Sequence, residues 1–191
     1  KVTPSSATGT FRVEAYRAPE FAVTATIDAK HYVAGSELTG SVSGQYLFGA
    51  PMRGATTNWY LRRSPTGFRP KGWNGYSFGG TIQDVNWGTE QIATASGPLS
   101  DTGTVELKAT LKPAATVPYS VQLAAEVVDA NRQSVAGQAT AIMHPASAYF
   151  GIGLDSWVFK KGEKIPTRLV AVDFDGKVVP PLSGTLRLQR S

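Results

Sequence analysis

The sequence predicts an all-β fold, an antiparallel β-sandwich with one complete module and part of a second. Apolar and polar residues alternate with a period of two along nearly every apolar stretch, as in strands that bury one face. Turns rich in Gly and Pro separate short strands at spacings typical of sandwiches. The strand pattern near the start also reappears further along: Val23 and Phe150, 127 positions apart, begin similar stretches.

This repeat sets the predicted domain boundaries. At the same offset several pairs coincide: Ala25 with Ile152, Ile27 with Leu154, Tyr32 with Phe159, Gly35 with Gly162, Leu38 with Ile165, Val42 with Leu169, and Gly49 with Gly176. We therefore expect a complete module over 17–145, preceded by the last strand of another module or a linker over 1–16. Residues 146–191 are expected to be the first part of a following module in a longer parent chain. Because a partial sheet buries little apolar surface, this tail is expected to be mobile or to dock on the complete module or a neighbouring molecule.

The first strands follow the alternating pattern in chain order. A strand over 11–15 is ended by Arg17-Ala18-Pro19-Glu20, because proline cannot donate to a β-ladder. Strands are then predicted at 21–27, 32–33, 38–48 and 57–61. Gly40 and Gly44, on the apolar face of the strand over 38–48, predict a bulge or a close approach of two backbones.

The later strands are delimited by turn sequences. Ser100-Asp101-Thr102-Gly103 precedes a strand over 105–111, and Asp129-Ala130-Asn131-Arg132 predicts a hairpin turn between strands over 119–128 and 134–143. In the second module, strands are expected at 149–154, 156–159, 164–172 and 184–189.

Composition excludes several classes of function. The net charge is +5 and the pI about 9.5, but Lys and Arg are scattered and no nucleic-acid surface is expected. Arg62-Arg63 and Lys160-Lys161 are the adjacent basic pairs, and alternation sends the two members of each pair to opposite faces, where a solvated surface is expected. The chain has no cysteine, so it has no disulfide, thiol nucleophile or zinc-thiolate site. No apolar stretch approaches the roughly 20 residues of a membrane span, so any signal or lipid anchor is expected outside this sequence.

A long segment over 64–88 holds the candidate interaction residues Phe68, Trp73, Tyr76 and Phe78 among basic and small residues. Loops of this length are often functional. The aromatic rings could stack on sugars or on single-stranded nucleic acid. The favoured interpretation is that they fold over an open end of the sandwich and contact adjoining domains, because aromatic residues are common core and interface material.

No catalytic, cofactor or metal site is predicted. His31 and His144 are the two histidines, lie 113 positions apart, and have no cysteine or carboxylate at metal-ligand spacing. Asp173-Phe174-Asp175-Gly176 resembles the start of a calcium loop, but Asp-Gly between apolar strands favours a hairpin turn. Neither a nucleophile elbow nor a complete glycine-rich phosphate motif is present, since Gly151-x-Gly153 lacks the third glycine.

Three motifs in order carry a resemblance to a known family. Tyr16 to Phe21, Tyr32 to Gly35 and Tyr46 to Pro51 resemble the macroglobulin domains of the α2-macroglobulin family, and the bacterial members in particular. Pro118-Tyr119 followed by Val127 to Ala130 is similar to the last hairpin of such a domain. The resemblance implies an immunoglobulin-like macroglobulin sandwich over 17–145, similar to the third such domain of family members.

The resemblance also implies a function for the parent protein. Family members trap attacking proteases, with macroglobulin domains forming a frame around a bait segment and a reactive thioester. Bacterial members are typically periplasmic or in the cell envelope, often with a lipid anchor. This sequence lacks a bait segment and, having no cysteine, the Cys-x-Glu-Gln thioester motif.

We therefore expect a non-enzymatic structural segment of a protease inhibitor. Its expected partners are neighbouring domains of the parent chain and, for the whole protein, proteases. Short junctions such as His144-Pro145-Ala146 are expected to limit domain movement. The alternatives are an adhesive or glycan-binding sandwich that uses the loop 64–88, and a mechanical surface array, since sandwiches host many functions.

Overall fold

The computed structural model describes residues 18, 20–79, 85–113, 116–156 and 158–180. Within these residues the chain forms eleven β-strands and no helix, which confirms the all-β prediction. The strands are β1 Phe21–Ile27, β2 His31–Val33, β3 Glu37–Tyr46, β4 Thr56–Pro65, β5 Tyr76–Phe78, β6 Glu90–Pro98, β7 Thr104–Thr110, β8 Tyr119–Val128, β9 Ser134–His144, β10 Tyr149–Leu154 and β11 Thr167–Val172.

Two sheets form the sandwich. A three-stranded sheet has the order β1-β3-β7, and β1 packs against β8 and β9 of a five-stranded sheet with the order β2-β9-β8-β4-β6. Every neighbouring pair in both sheets is antiparallel except β2 and β9, which run parallel. Alternation predicts which face of a strand is buried but not the direction of the strand, so the sequence pattern does not predict that β2 and β9 are parallel.

The core lies between the two sheets, and residues that the alternation predicts to be buried contribute to it. In β8, Tyr119, Val121, Leu123 and Ala125 are all buried, while the intervening residues are exposed or half-buried. Thr57, Trp59 and Leu61 of β4 are likewise buried together. Burying a large aliphatic side chain contributes about 1.5–3 kcal/mol, so this interior provides the main stabilisation of the sandwich.

Several predicted elements differ from the observed ones. The strand predicted over 38–48 ends at Tyr46, because the chain turns at Gly49, whose φ is +97°. No strand forms at the described residues of 156–159, and β6 was not predicted, since its residues are mostly exposed and do not alternate clearly. The segment 64–88 is not a continuous loop either: it takes in the end of β4 and the whole of β5. The strands predicted at 11–15 and 184–189 lie outside the described residues.

Arg63 corrects the expectation of a solvated basic pair. Arg62 is exposed and Arg63 is buried, as alternation on opposite faces requires. The Arg63 guanidinium donates to Glu90 Oε2 at 2.8 and 2.9 Å and to the Lys112 carbonyl at 2.6 Å. A buried cation with these partners is a structural element of the sandwich and is not available to a nucleic acid.

Gly40 marks a close approach of two backbones, one of the two predicted outcomes. A Cβ atom at this position would overlap the Thr26 carbonyl oxygen of the adjacent strand, and the β1–β3 register reaches the pair of Ile27 with Gly40 without a shift. We expect Gly40→Ala to lower the free energy of unfolding by about 2 kcal/mol, because overpacking forces the strands apart. Urea denaturation measures the effect. Gly97→Ala is the matched control, since a Cβ there meets no atom within 4 Å, and an equal loss in both variants would contradict the prediction.

The repeat seen in the sequence is also present in the backbone. The β1–β3 pair and the β10–β11 pair share one register at the offset of 127, since Ala22 pairs with Gln45 and Tyr149 with Val172. The isolated bridges Gln45–Pro51 and Val172–Val178 occupy equivalent positions as well. Residues 149–180 therefore begin with the same pair of strands as the sandwich. We refer to β10, β11 and the turn that follows β11, up to residue 180, as the second hairpin.

Candidate functional site at the junction of β9 and β10

Strand β10 joins the second hairpin to the sandwich. It pairs with β11 on one side and with β5 on the other, where Gly151 lies opposite Phe78 and Gly153 opposite Tyr76. A Cβ at Gly151 would overlap the Phe78 ring, and a Cβ at Gly153 would lie 3.1 Å from the Tyr76 ring. The glycines of Gly151-x-Gly153 thus allow aromatic rings to lie directly on the strand. This packing explains why glycine occurs at both positions without invoking a phosphate-binding role.

The four predicted interaction residues are gathered at this junction. The ring of Phe68 stacks on Tyr149 of β10 with centroids 3.9 Å apart, and its edge contacts Phe78. Trp73 lies edge-on to Tyr76, and its indole Nε1 donates to the Gly176 carbonyl at 2.8 Å. All four side chains are half-buried. In the described structure they face one another and the second hairpin and do not form an open platform.

Two histidines occupy the same place. The parallel pairing of β2 with β9 puts His31 beside His144, with His31 Nδ1 2.8 Å from His144 Nε2. His144 Nδ1 lies 2.7 Å from the hydroxyl of Tyr149. This chain of three polar groups is not predicted by the sequence, since no local pattern shows that strands more than a hundred positions apart are neighbours.

Aromatic rings pack against this chain of polar groups. Phe174, in the turn that follows β11, stacks on His144 with 4.0 Å between ring centroids and on His31 with 5.6 Å. Phe68, in the segment 64–88, contacts His144 edge-on. We refer to His31, His144, Tyr149, Phe68 and Phe174 as the junction cluster. It consists of side chains from the sandwich, from the segment 64–88 and from the second hairpin.

The environment keeps the central histidine neutral. Burial, followed by the neighbouring His31, lowers the pKa of His144 to about 4, and the side chain is only 2% exposed. Burial also raises the pKa of Tyr149 well above its usual range. A neutral imidazole carries one N–H, so His144 donates one of its two hydrogen bonds and accepts the other.

The arrangement has the features of a packed contact. Among the described residues, no group of three His, Cys, Asp or Glu side chains is placed to hold a metal ion. Asp173 Oδ1 accepts from the backbone N–H groups of Asp175 and Lys177 at 3.0 and 2.9 Å, so the Asp-Gly sequence forms the expected hairpin turn. In the described part of the chain, no helix has the length and apolar character that a membrane span requires.

Comparisons with known proteins agree with this architecture. Residues 20–145 match a family model described as the bacterial alpha-2-macroglobulin MG5 domain. An alpha-2-macroglobulin homolog of Nostoc sp. is 25% identical over 188 residues, covering 95% of this chain and 10% of that protein. The chain therefore spans about a tenth of that relative's length.

Solved structures share the fold. The crystal structure of trypsin-activated alpha-2-macroglobulin from Escherichia coli has a TM-score of 0.63 and 21% identity, covering 83% of this chain and 12% of that one. Salmonella alpha-2-macroglobulin reacted with methylamine has a TM-score of 0.65 and 21% identity, covering 86% and 12%. The ordinal of the matching model, MG5, differs from the third position that the resemblance implied. With a model matched over 20–145 and the β-sandwich in place, this chain belongs to the bacterial alpha-2-macroglobulin family.

Proposed function

We propose that this chain is a non-enzymatic frame segment of a protein that traps proteases in the periplasm or cell envelope. The observation that carries the proposal is the junction, where the sandwich and the second hairpin are joined by strand pairing and by the junction cluster, in which His144 and Tyr149 are buried. Family membership supports a protease as the target of the whole protein.

The contacts at the junction explain how a frame segment would work. Three β5–β10 residue pairs, the Trp73–Gly176 hydrogen bond and the stacked rings of the junction cluster all oppose rotation of the second hairpin. Each hydrogen bond contributes about 1 kcal/mol, so several must break together before the hairpin can move. A strain produced by cleavage elsewhere in the parent protein is then transmitted across the junction and not absorbed by it.

The second hairpin has an exposed apolar face. Phe150, Ile152 and Leu169 are exposed, and their equivalents at the offset of 127, Val23, Ala25 and Val42, are buried or half-buried against the five-stranded sheet. We propose that residues 146–191 begin the next macroglobulin unit, as the sequence analysis expects, and that later parts of the parent chain cover this face. A face that forms the core in one copy is suited to the same role in the other.

The chemistry of trapping belongs to other parts of the parent protein in this proposal. The chain has no cysteine for a thioester, and it has no bait-like insertion. Its partners are neighbouring domains, with no cofactor and no nucleic acid, and a membrane is reached only through a lipid anchor outside this segment.

The test is protease capture by the parent protein. The full-length protein is incubated with a panel of proteases, and co-elution in size-exclusion chromatography is measured with and without Tyr149→Ala. We expect the parent to retain protease, the variant to retain less, and the 191-residue chain alone to retain none. Capture or peptide hydrolysis by the 191-residue chain alone would contradict the role as a frame segment.

A glycan-binding function makes a different prediction. Trp73 is half-buried, and its indole N–H is already bonded to Gly176, so we expect no specific binding on a glycan array. Trp73→Ala is then expected to leave the array result unchanged, with Trp87→Ala, an exposed tryptophan in the same segment, as the matched control. Specific binding that only Trp73→Ala abolishes would favour the adhesive alternative.

A further inference from the structure

We propose that the turn Tyr46–Gly49 is the surface through which the matched domain docks on the β-sandwich unit that precedes it in the parent chain. The proposal rests on the proposed function, since it requires a parent built from successive units.

The turn exposes two large apolar side chains next to each other. Leu47 is 73% exposed and Phe48 is 78% exposed, and the Phe48 ring stacks on Tyr46 with centroids 5.2 Å apart. Leaving both exposed forgoes about 1.5–3 kcal/mol of burial for each side chain. Single exposed apolar residues are ordinary, so the identity of the partner must come from a second observation.

The second observation is the copy of this turn in the second hairpin. Gly49 N donates to the Tyr46 carbonyl at 2.8 Å, and Gly176 N donates to the Asp173 carbonyl at 3.1 Å. A second hydrogen bond is also shared by the two turns: Tyr46 N donates to the Ala50 carbonyl at 2.9 Å, and Asp173 N donates to the Lys177 carbonyl at 3.0 Å. Both glycines have positive φ, +97° and +80°. The two turns are therefore one structural element at the offset of 127.

The copy is docked on the unit that precedes it. Phe174, which occupies the position of Leu47, stacks on His144 at the end of the last strand of the sandwich. Gly176, which occupies the position of Gly49, accepts the Trp73 indole hydrogen bond. In the second hairpin, the turn thus contacts the preceding unit through an apolar side chain and a carbonyl, in addition to the contacts that β10 makes.

The first turn also lies where the chain comes in from upstream. Leu47 N donates to the Glu20 carbonyl at 2.8 Å, which ties the turn to the residue just before β1. A preceding unit connected through this point is within reach of Leu47 and Phe48. The expected contact on its side is a ring or aliphatic side chain at the end of its last strand, equivalent in position to His144.

Hydroxyl-radical footprinting tests the contact at individual side chains. Leu47 and Phe48 are modified in the 191-residue chain and in the full-length parent protein, with Trp87 as an exposed reference outside the turn and Leu61 as a buried one. We expect modification of Leu47 and Phe48 to fall in the parent to the level of Leu61, and to fall more than that of Trp87. Equal modification in both proteins, or a loss no greater than at Trp87, would overturn the proposal.

A double variant, Leu47→Ser with Phe48→Ser, gives an independent readout in the parent. We expect modification to rise at the end of the last strand of the preceding unit, and an unchanged pattern there would also overturn the proposal. Both measurements are made without protease. A parent that fails to capture proteases but protects Leu47 and Phe48 would therefore contradict the proposed function and leave the docking surface supported.

Discussion

Replacing His144 by alanine is expected to lower the free energy of unfolding by about 4 kcal/mol, the largest effect of any single change considered for this chain. The imidazole is buried, and its removal leaves a cavity beneath the stacked Phe174 ring. It also leaves the buried Tyr149 hydroxyl without its hydrogen-bond partner. Urea denaturation followed by tryptophan fluorescence measures the loss.

The controls separate this effect from a general weakening of β9. Thr140→Ala lies on the same strand but is exposed, and it is expected to change stability by less than about 0.5 kcal/mol. Tyr149→Phe keeps the ring stacked on Phe68 and removes the hydroxyl, so it is expected to cost about 1 kcal/mol. Amide exchange in β10 is expected to accelerate more in His144→Ala than in Thr140→Ala. Similar exchange in the two variants would show that His144 does not hold the second hairpin.

Acid is expected to destabilise the junction through the same residue, by about 3 kcal/mol as the pH reaches 4. The folded-state pKa of His144 is lowered to about 4 by burial and by His31, whereas an unfolded histidine titrates near 6.5. Below 6.5 the unfolded chain therefore binds the proton more readily than the folded chain. The free energy of unfolding should fall from pH 6.5 towards pH 4 and be insensitive to this group above 6.5.

The measurement is a series of denaturation curves between pH 4 and 8 for the natural chain and for His144→Gln. Glutamine keeps a polar side chain that does not titrate, so the difference in slope between the two proteins isolates His144 from the carboxylates. Between pH 6.5 and 4, the free energy of unfolding is expected to fall less steeply for His144→Gln than for the natural chain. Parallel profiles would mean that His144 is protonated as easily in the folded protein as in the unfolded one.

The contacts of β10 show which features a local sequence pattern predicts and which features depend on tertiary contacts. The alternation of Tyr149, Gly151 and Gly153 with their neighbours indicates a strand, and this strand forms. Which side of it receives β5 depends on the segment 64–88, whose three-residue strand carries no periodic signal of its own. The aromatic residues of that segment were recognised as interface material, but their partner on β10 was not.

Residues that act locally were therefore predictable from the sequence. The period of two determines the buried faces of β4 and β8, and Asp-Gly determines the turn after β11, because alternation and turn conformation depend on neighbouring residues alone. The offset of 127 likewise determines the repeated hairpin. Only the tertiary structure decided that His31 and His144 meet, that Tyr149 joins them and that Glu90 and the Lys112 carbonyl accept hydrogen bonds from Arg63. These contacts depend on the order and direction of strands far apart in the chain, which packing of the whole sandwich selects and no short stretch of sequence encodes.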